Sequence, residues 1–340
     1  MTHDHQEPRL PSDRGPLSAA IMDYLRGTGP LPGKERIAHA AAYGGDLQLA
    51  LYLCYELHYR GFAGVPDDRE WDPALLGARA ALEDRFLSAL RADTPVHDSV
   101  EDALAEILVE PVDGTGVSHY LRDKGELWQL REYAAQRSLY HLKEADPHAW
   151  VLPRLWGRAK AAMVAVEFDE FGGGRADRIH ARLFADLMTD LGLDTTYGHY
   201  VDAACAETLA TVNLMSLFGL HRSLRGALVG HFAAVEVTSS PGSRRLAEAM
   251  RRTGAGPAAE HFYDEHVEAD AVHEQVVRHD VIGGLLADEP RLAGDIAFGI
   301  DATGYVEDRL AERLLTVWRA GESSLRTPLT STESETSHIS

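Results

Sequence analysis

The segment Tyr263-Asp264-Glu265-His266-Val267-Glu268-Ala269-Asp270-Ala271-Val272-His273-Glu274 concentrates metal-binding side chains within this 340-residue chain. Read as a helix, it places His266 and Asp270 one turn apart, with His273 three residues further on. At 3.6 residues per turn the three side chains fall within roughly 60° of one another. Imidazole and carboxylate on one stripe are natural ligands for iron, zinc or manganese. The same composition also describes a solvated polar face whose buried side would be Val267, Ala271, Val276 and Val277, and such spacings arise by chance in acidic helices. One helix can rarely complete two coordination shells, so further donors must come from elsewhere.

A second donor segment runs Val166-Glu167-Phe168-Asp169-Glu170-Phe171-Gly172-Gly173-Gly174-Arg175-Ala176-Asp177-Arg178-Ile179-His180. In an unbroken helix Glu170 and His180 would stand ~15 Å apart along the axis, too far to share a compact site. The glycine triplet lets the chain kink or turn and bring them together. Glu167 and Asp169 are rival donors, and the plain alternative is a helix–turn–helix joint with an acidic lip. A third segment, His141-Leu142-Lys143-Glu144-Ala145-Asp146-Pro147-His148, ends a helix in a carboxylate beside an Asp-Pro break. Asp146 reads as the N-cap of the next helix; Glu144, by position alone, reads equally as surface charge. The paired Glu-x-x-His helices of ferritin-type di-iron proteins are absent, Asp270-x-x-His273 being the nearest approach.

The elements that must position these groups are helices. Ala, Leu, Arg and Glu dominate, and apolar residues recur at three-to-four spacing. The pattern predicts helices over 34–60, 73–91, 98–109, 126–144, 147–171, 175–191, 206–218, 221–238, 243–253, 257–283 and 288–319. Their ends are good to ~2–4 residues. Pro147, Pro241 and Pro257 fall where a first helical turn tolerates proline, and Gly192 and Gly219 fall where helices stop. No alternating strand pattern, repeat, Walker loop, dinucleotide fingerprint or nucleophile elbow is present. The expected architecture is all-α. Residues 1–15, with His3 and His5, form a disordered tail, and Ser/Thr-rich residues 323–340 form another. Between them lies a single helical domain, 16–322, with N-terminal helices over 16–120 and a metal-binding core over 121–322.

A formal net charge of −20 and a pI near 5.2 argue against nucleic acid and anionic membrane as partners. Cys54 and Cys205 can build neither a disulfide framework nor a thiolate zinc site. The N-terminal sequence lacks a secretory pattern and no apolar run is long enough to span a bilayer. A cytoplasmic location is expected.

Taken together, Glu144, Glu170 with His180 ten positions later, and His266-x-x-x-Asp270-x-x-His273 resemble the haem-oxygenase-like di-iron oxidases and oxygenases. These are the iron-containing redox enzymes, and the likeness is to their actinobacterial type, over roughly residues 125–320. The resemblance implies a haem-oxygenase-like helical bundle with additional N-terminal helices, binding two Fe(II) ions in place of haem, with O2 as co-substrate. It implies Glu144, Glu170, His180, His266, Asp270 and His273 as metal ligands, with Glu144 bridging the irons. Reactions of such enzymes include N-oxygenation of amines and guanidines, and oxidative C–C cleavage or decarboxylation of amino and fatty acids. An oxidoreductase of specialised metabolism acting on a small amine- or amino-acid-like metabolite is therefore expected, with N-oxygenation preferred and C–C cleavage the alternative.

A reductase or ferredoxin could supply electrons, and the amphipathic stretch 34–60 could supply a homodimer surface. A haem protein or a non-catalytic helical interaction protein would account for the fold but leave the acidic donor set without a purpose. Tyr140, His141, Trp150, Arg154, Trp156, Asn213, Arg222, Glu236 and Tyr263 lie on helices that could flank the site. Of these, Glu236 and Asn213 stand out as polar groups in apolar surroundings, where an uncompensated group is costly. His221 and His231 read as structural histidines.

Overall fold

A computed structural model describes residues 7–109 and 114–329, with the side chains of 268–272 outside the description. Among the described residues every regular element is helical. The helices are α1 (Pro16–Leu25), α2 (Lys34–Ala38), α3 (Gly45–Glu56), α4 (Pro73–Asp93), α5 (Val100–Leu108), α6 (Val117–Asp123), α7 (Leu127–His141) and α8 (Asp146–Ala149). They continue as α9 (Gly157–Glu170), α10 (His180–Asp190), α11 (Ala206–Leu220), α12 (Arg225–Thr253), α13 (Pro257–Val276), α14 (Gly283–Asp288) and α15 (Ala293–Arg319). The result is an all-α, haem-oxygenase-like bundle. None of the described helices is long and apolar enough to cross a membrane.

Buried apolar side chains form one contiguous cluster from Leu17 to Leu325. Its centre is α12, packed between α13 and α15. Small residues set the α12–α15 crossing. A Cβ on Gly230 would collide with the Ile296 carbonyl, and one on Gly299 with the Ala227 carbonyl. Both glycines therefore permit a backbone approach that alanine would prevent.

Several elements depart from the periodicity, each for a local reason. The stretch 34–60 divides into α2 and α3 at Gly44-Gly45, where two poor helix formers adjoin. The stretch 147–171 divides into α8 and α9. Pro153 lacks a donor between them, and Gly157 takes a left-handed φ of 55°. Conversely, Pro241 does not start a helix: it lies inside the 29-residue α12. Extensive packing on α13 and α15 keeps that helix continuous across the missing bond. Gly219 does not stop α11 but lies within it, where a Cβ would come 2.6 Å from the Pro147 carbonyl. After Val276, α13 passes into a π-helical turn, Val277–Ile282, and α1 and α6 were not evident in the pattern.

Parts of the two segments expected as tails, within 7–15 and 323–329, make specific contacts with the bundle. His3 and His5 lie outside the described residues. In the segment 7–15, Arg14 donates to the carbonyls of Val201 and Ala204 at 2.6 and 2.8 Å, and Ser12 N–H donates to Asp202. At the other end, Ser323 and Ser324 close on the buried Glu132 of α7. Its carboxylate accepts from Trp318 Nε1 (2.9 Å), Ser324 N and Oγ (both 2.8 Å) and Ser323 Oγ (2.5 Å). Tail composition gives no hint of partners this distant in sequence.

Candidate metal centre

The site lies where the end of α7, the end of α9, the start of α10, and the middles of α12 and α13 converge. The glycine triplet makes the α9–α10 return. Gly172, Gly173 and Gly174 have φ of 75°, 61° and 82°, and a Cβ on Gly172 would lie 2.7 Å from the backbone of Arg178 and Ile179. The turn brings His180 back to Glu170, with Nδ1 2.8 Å from Oε2. Glu144 is presented by a different device. Its neighbour Ala145 is the one non-glycine among the described residues with positive φ, 74°. Lys143 beside it is fully buried, donating to Glu56 Oε2 at 2.8 Å and lying 4.0 Å from the Tyr59 ring centroid. Tyr197 donates to the other Glu56 oxygen at 2.5 Å. The chain around residue 144 is thus pinned to α3.

Two triads result. Donor atoms of Glu144, His180 and His266 lie within 4.8 Å of one another, as do those of Glu170, Glu236 and His273, and all six residues are buried. In the first triad, His266 Nδ1 donates to the Phe262 carbonyl at 2.7 Å. That bond places a proton on Nδ1 and turns Nε2 toward Glu144 Oε1, 3.6 Å away. The rings of His180 and His266 are 4.4 Å apart. In the second triad, His273 Nδ1 lies 3.3 Å from Glu236 and 3.7 Å from Glu170, while Nε2 lies 3.3 Å from Asp169 Oδ2. Asp169 is therefore placed to orient the ring from its outer nitrogen rather than to enter the triad.

The site is dominated by negative charge. Burial pushes the Glu144 carboxyl up, but His141 at 3.2 Å and His266 outweigh it and hold the group well below the usual carboxylate range. Burial pushes His273 down, yet Glu236, Glu170 and Asp169 raise it to about 9. Glu167, one turn before Glu170, is driven up to about 9 by burial first and then by Glu170, Glu236 and Asp146. The Tyr140 phenol is held well above its ordinary value by burial and by Glu144, Glu170, Glu167 and Glu236.

Of the six sequence-derived positions, Glu144, His180 and His266 fall in one triad and Glu170 and His273 in the other. Asp270 lies on α13, but its side chain is outside the described residues. Glu236, whose apolar surroundings mark it as a candidate for supporting the ligands or contacting substrate, is itself a donor-bearing member of the second triad. Asn213, noted on the same grounds, serves the fold instead, donating to Gln48. The resemblance pointed to Glu144 as the bridging carboxylate. In the structure Glu170 faces a histidine of each triad, His180 and His273, and Glu144 faces His266 of the first.

The family described as iron-containing redox enzyme matches residues 131–307, a stretch that contains both triads. No curated protein matches the chain.

Proposed function

The chain belongs to the family of iron-containing redox enzymes, and from that premise we propose that it holds two ferrous ions, one per triad, and uses dioxygen to oxidise a small amine- or amino-acid-like metabolite at nitrogen. The observation that carries this reading is the pair of buried His/carboxylate triads joined through Glu170. The donors suit iron: imidazole and carboxylate, without thiolate, in a region whose acidic groups exceed its basic ones. Glu144 Oε2 is buried without a hydrogen-bond partner among the described residues, as expected of an atom reserved for a cation.

Glu144, His180 and His266 would hold one ion; Glu170, Glu236 and His273, with Asp270 from the same helix stripe, would hold the other. Ferrous ions so bound supply electrons for reducing dioxygen. The surrounding residues exclude bulk water from the acidic cluster, and Tyr140 keeps its proton beside it. Overall, one oxygen atom would enter an N–H bond and the other leave as water, with two electrons and two protons from an external donor such as a ferredoxin or reductase.

The test is oxygen uptake by anaerobically iron-loaded protein offered amines, guanidines and amino acids, with mass spectrometry of the products. A product one oxygen atom heavier than its substrate supports N-oxygenation. Carbon dioxide release or a shortened carbon chain would replace it with oxidative cleavage.

A further inference from the structure

The two triads leave Glu167 unexplained. It lies on α9 three residues before Glu170, on the same helical face, and is 2% exposed. Both carboxylate oxygens are buried with no hydrogen-bond partner among the described residues. Other buried glutamates outside the triads have donors: Glu56 has Lys143, Glu83 has Arg79, Glu132 has Trp318 and Glu289 has Arg225. The polar groups acting on Glu167 are the carboxylates of Glu170, Glu236 and Asp146 and the Tyr140 phenol. Asp146 is itself offset by Arg60 and Lys143.

Neither ordinary state of the group suits this position. An ionised carboxylate buried without a partner is costly, and a protonated one would need an acceptor for its O–H, with none in hydrogen-bond geometry among the described residues. A third metal ion is unsupported, since Glu167 belongs to no cluster of three donors among the described residues. Two ferrous ions would be neutralised by four carboxylates, those of Glu144, Glu170, Glu236 and Asp270. Glu167 is a fifth, in excess of what the metals require.

We propose that Glu167 anchors a cationic nitrogen group of the substrate, an ammonium or guanidinium, beside the second triad. This rests on the two-iron reading above. Charge-assisted hydrogen bonds from such a group would satisfy both oxygens at once, and the helical spacing sets it about one turn, ~5 Å, from Glu170. A substrate bearing only a carboxylate would be repelled by the same group.

Wild-type protein and Glu167→Gln, which keeps the shape and removes the charge, are loaded anaerobically with Fe(II) and their iron is counted. Each is then titrated calorimetrically with L-arginine, L-lysine, putrescine and decanoate. Two irons in both proteins, with at least one of the three cations bound by wild type and at least tenfold more weakly by Glu167→Gln, support the proposal. Glu167→Asp, which retains the charge, should recover part of that affinity. The proposal is overturned if iron is lost in Glu167→Gln alone, if cation affinity is unchanged, or if wild type binds none of the cations. A wild-type protein that takes up no iron overturns the two-iron reading itself, which the iron count reports separately.

Discussion

The clasp around Glu132 and the metal centre around Glu170 are both built from buried carboxylates, and they are completed in opposite ways. Glu132 receives four hydrogen bonds from Trp318, Ser323 and Ser324. At the centre, Glu170 and Glu236 face imidazoles and each other, and Glu167 has no hydrogen-bond donor among the described residues. The first carboxylate is satisfied by backbone and side-chain donors and secures residues 323–324; the second group is held against imidazoles that are themselves metal-ligand types, with Glu167 left over. A protein that leaves several like charges together in its interior sacrifices stability there, and such local conflict is where function is expected.

The largest effect that would sharpen this contrast is at Glu170. Glu170→Ala should drop bound iron from two per chain to below one and reduce oxygen uptake by ~10³-fold or more. The iron-free protein should change in stability by no more than about 1–2 kcal/mol, since relief of repulsion among the carboxylates offsets loss of the His180 contact. Iron analysis paired with thermal unfolding of the iron-free form checks both halves. Glu132→Ala should behave in reverse. Removing that acceptor strands Trp318 Nε1–H and the Ser324 N–H, and the cost in denaturant unfolding should be about 3–5 kcal/mol with iron content unchanged. Loss of iron in this variant would break the separation between the two regions.

These two regions also differ in how far they could be read from sequence. His266 and His273 were legible because one helix supplies both at fixed spacing, and the Glu170–His180 pair because three consecutive glycines announce a turn. Glu236 was not assignable. A lone glutamate in His-Phe-Ala-Ala-Val-Glu-Val carries no spacing signal, and its partners sit on α9 and α13. The role of Glu170 between the triads depends on how α9, α10 and α13 meet, which no local pattern encodes. Pro241 misled because tertiary packing sustains α12 through it. The clasp was missed because Ser and Thr composition predicts a tail unless one knows that a buried carboxylate waits on α7.

Smaller effects test the contrast further. Glu167→Gln should make the iron-free protein more stable at neutral pH, by about 1–2 kcal/mol, because a carboxyl raised to about 9 must take up a proton on folding and glutamine need not. Glu132→Gln should have the opposite sign, and equal signs would remove the distinction drawn between the two glutamates.

The smallest effect is expected at the surface, where water completes what the protein does not. His97 Nδ1 lies 2.9 Å from Asp301, and this hydrogen bond is the leading cause of its elevated pKa, which burial opposes and Glu106 aids. Because the folded-state pKa is raised above the ordinary 6.5, the pair's contribution is fully present below that value and is lost as pH rises through the elevated one. Asp301→Asn should lower the His97 titration midpoint by NMR while changing stability by less than about 1 kcal/mol.

The central claim is that two ferrous ions occupy the two triads. Crystals of the protein soaked anaerobically with ferrous iron, with anomalous data collected at the iron edge, test it most directly. The account predicts two peaks, one among Glu144, His180 and His266 and one among Glu170, Glu236 and His273. A single peak, or iron bound elsewhere with both triads empty under excess Fe(II), would contradict it.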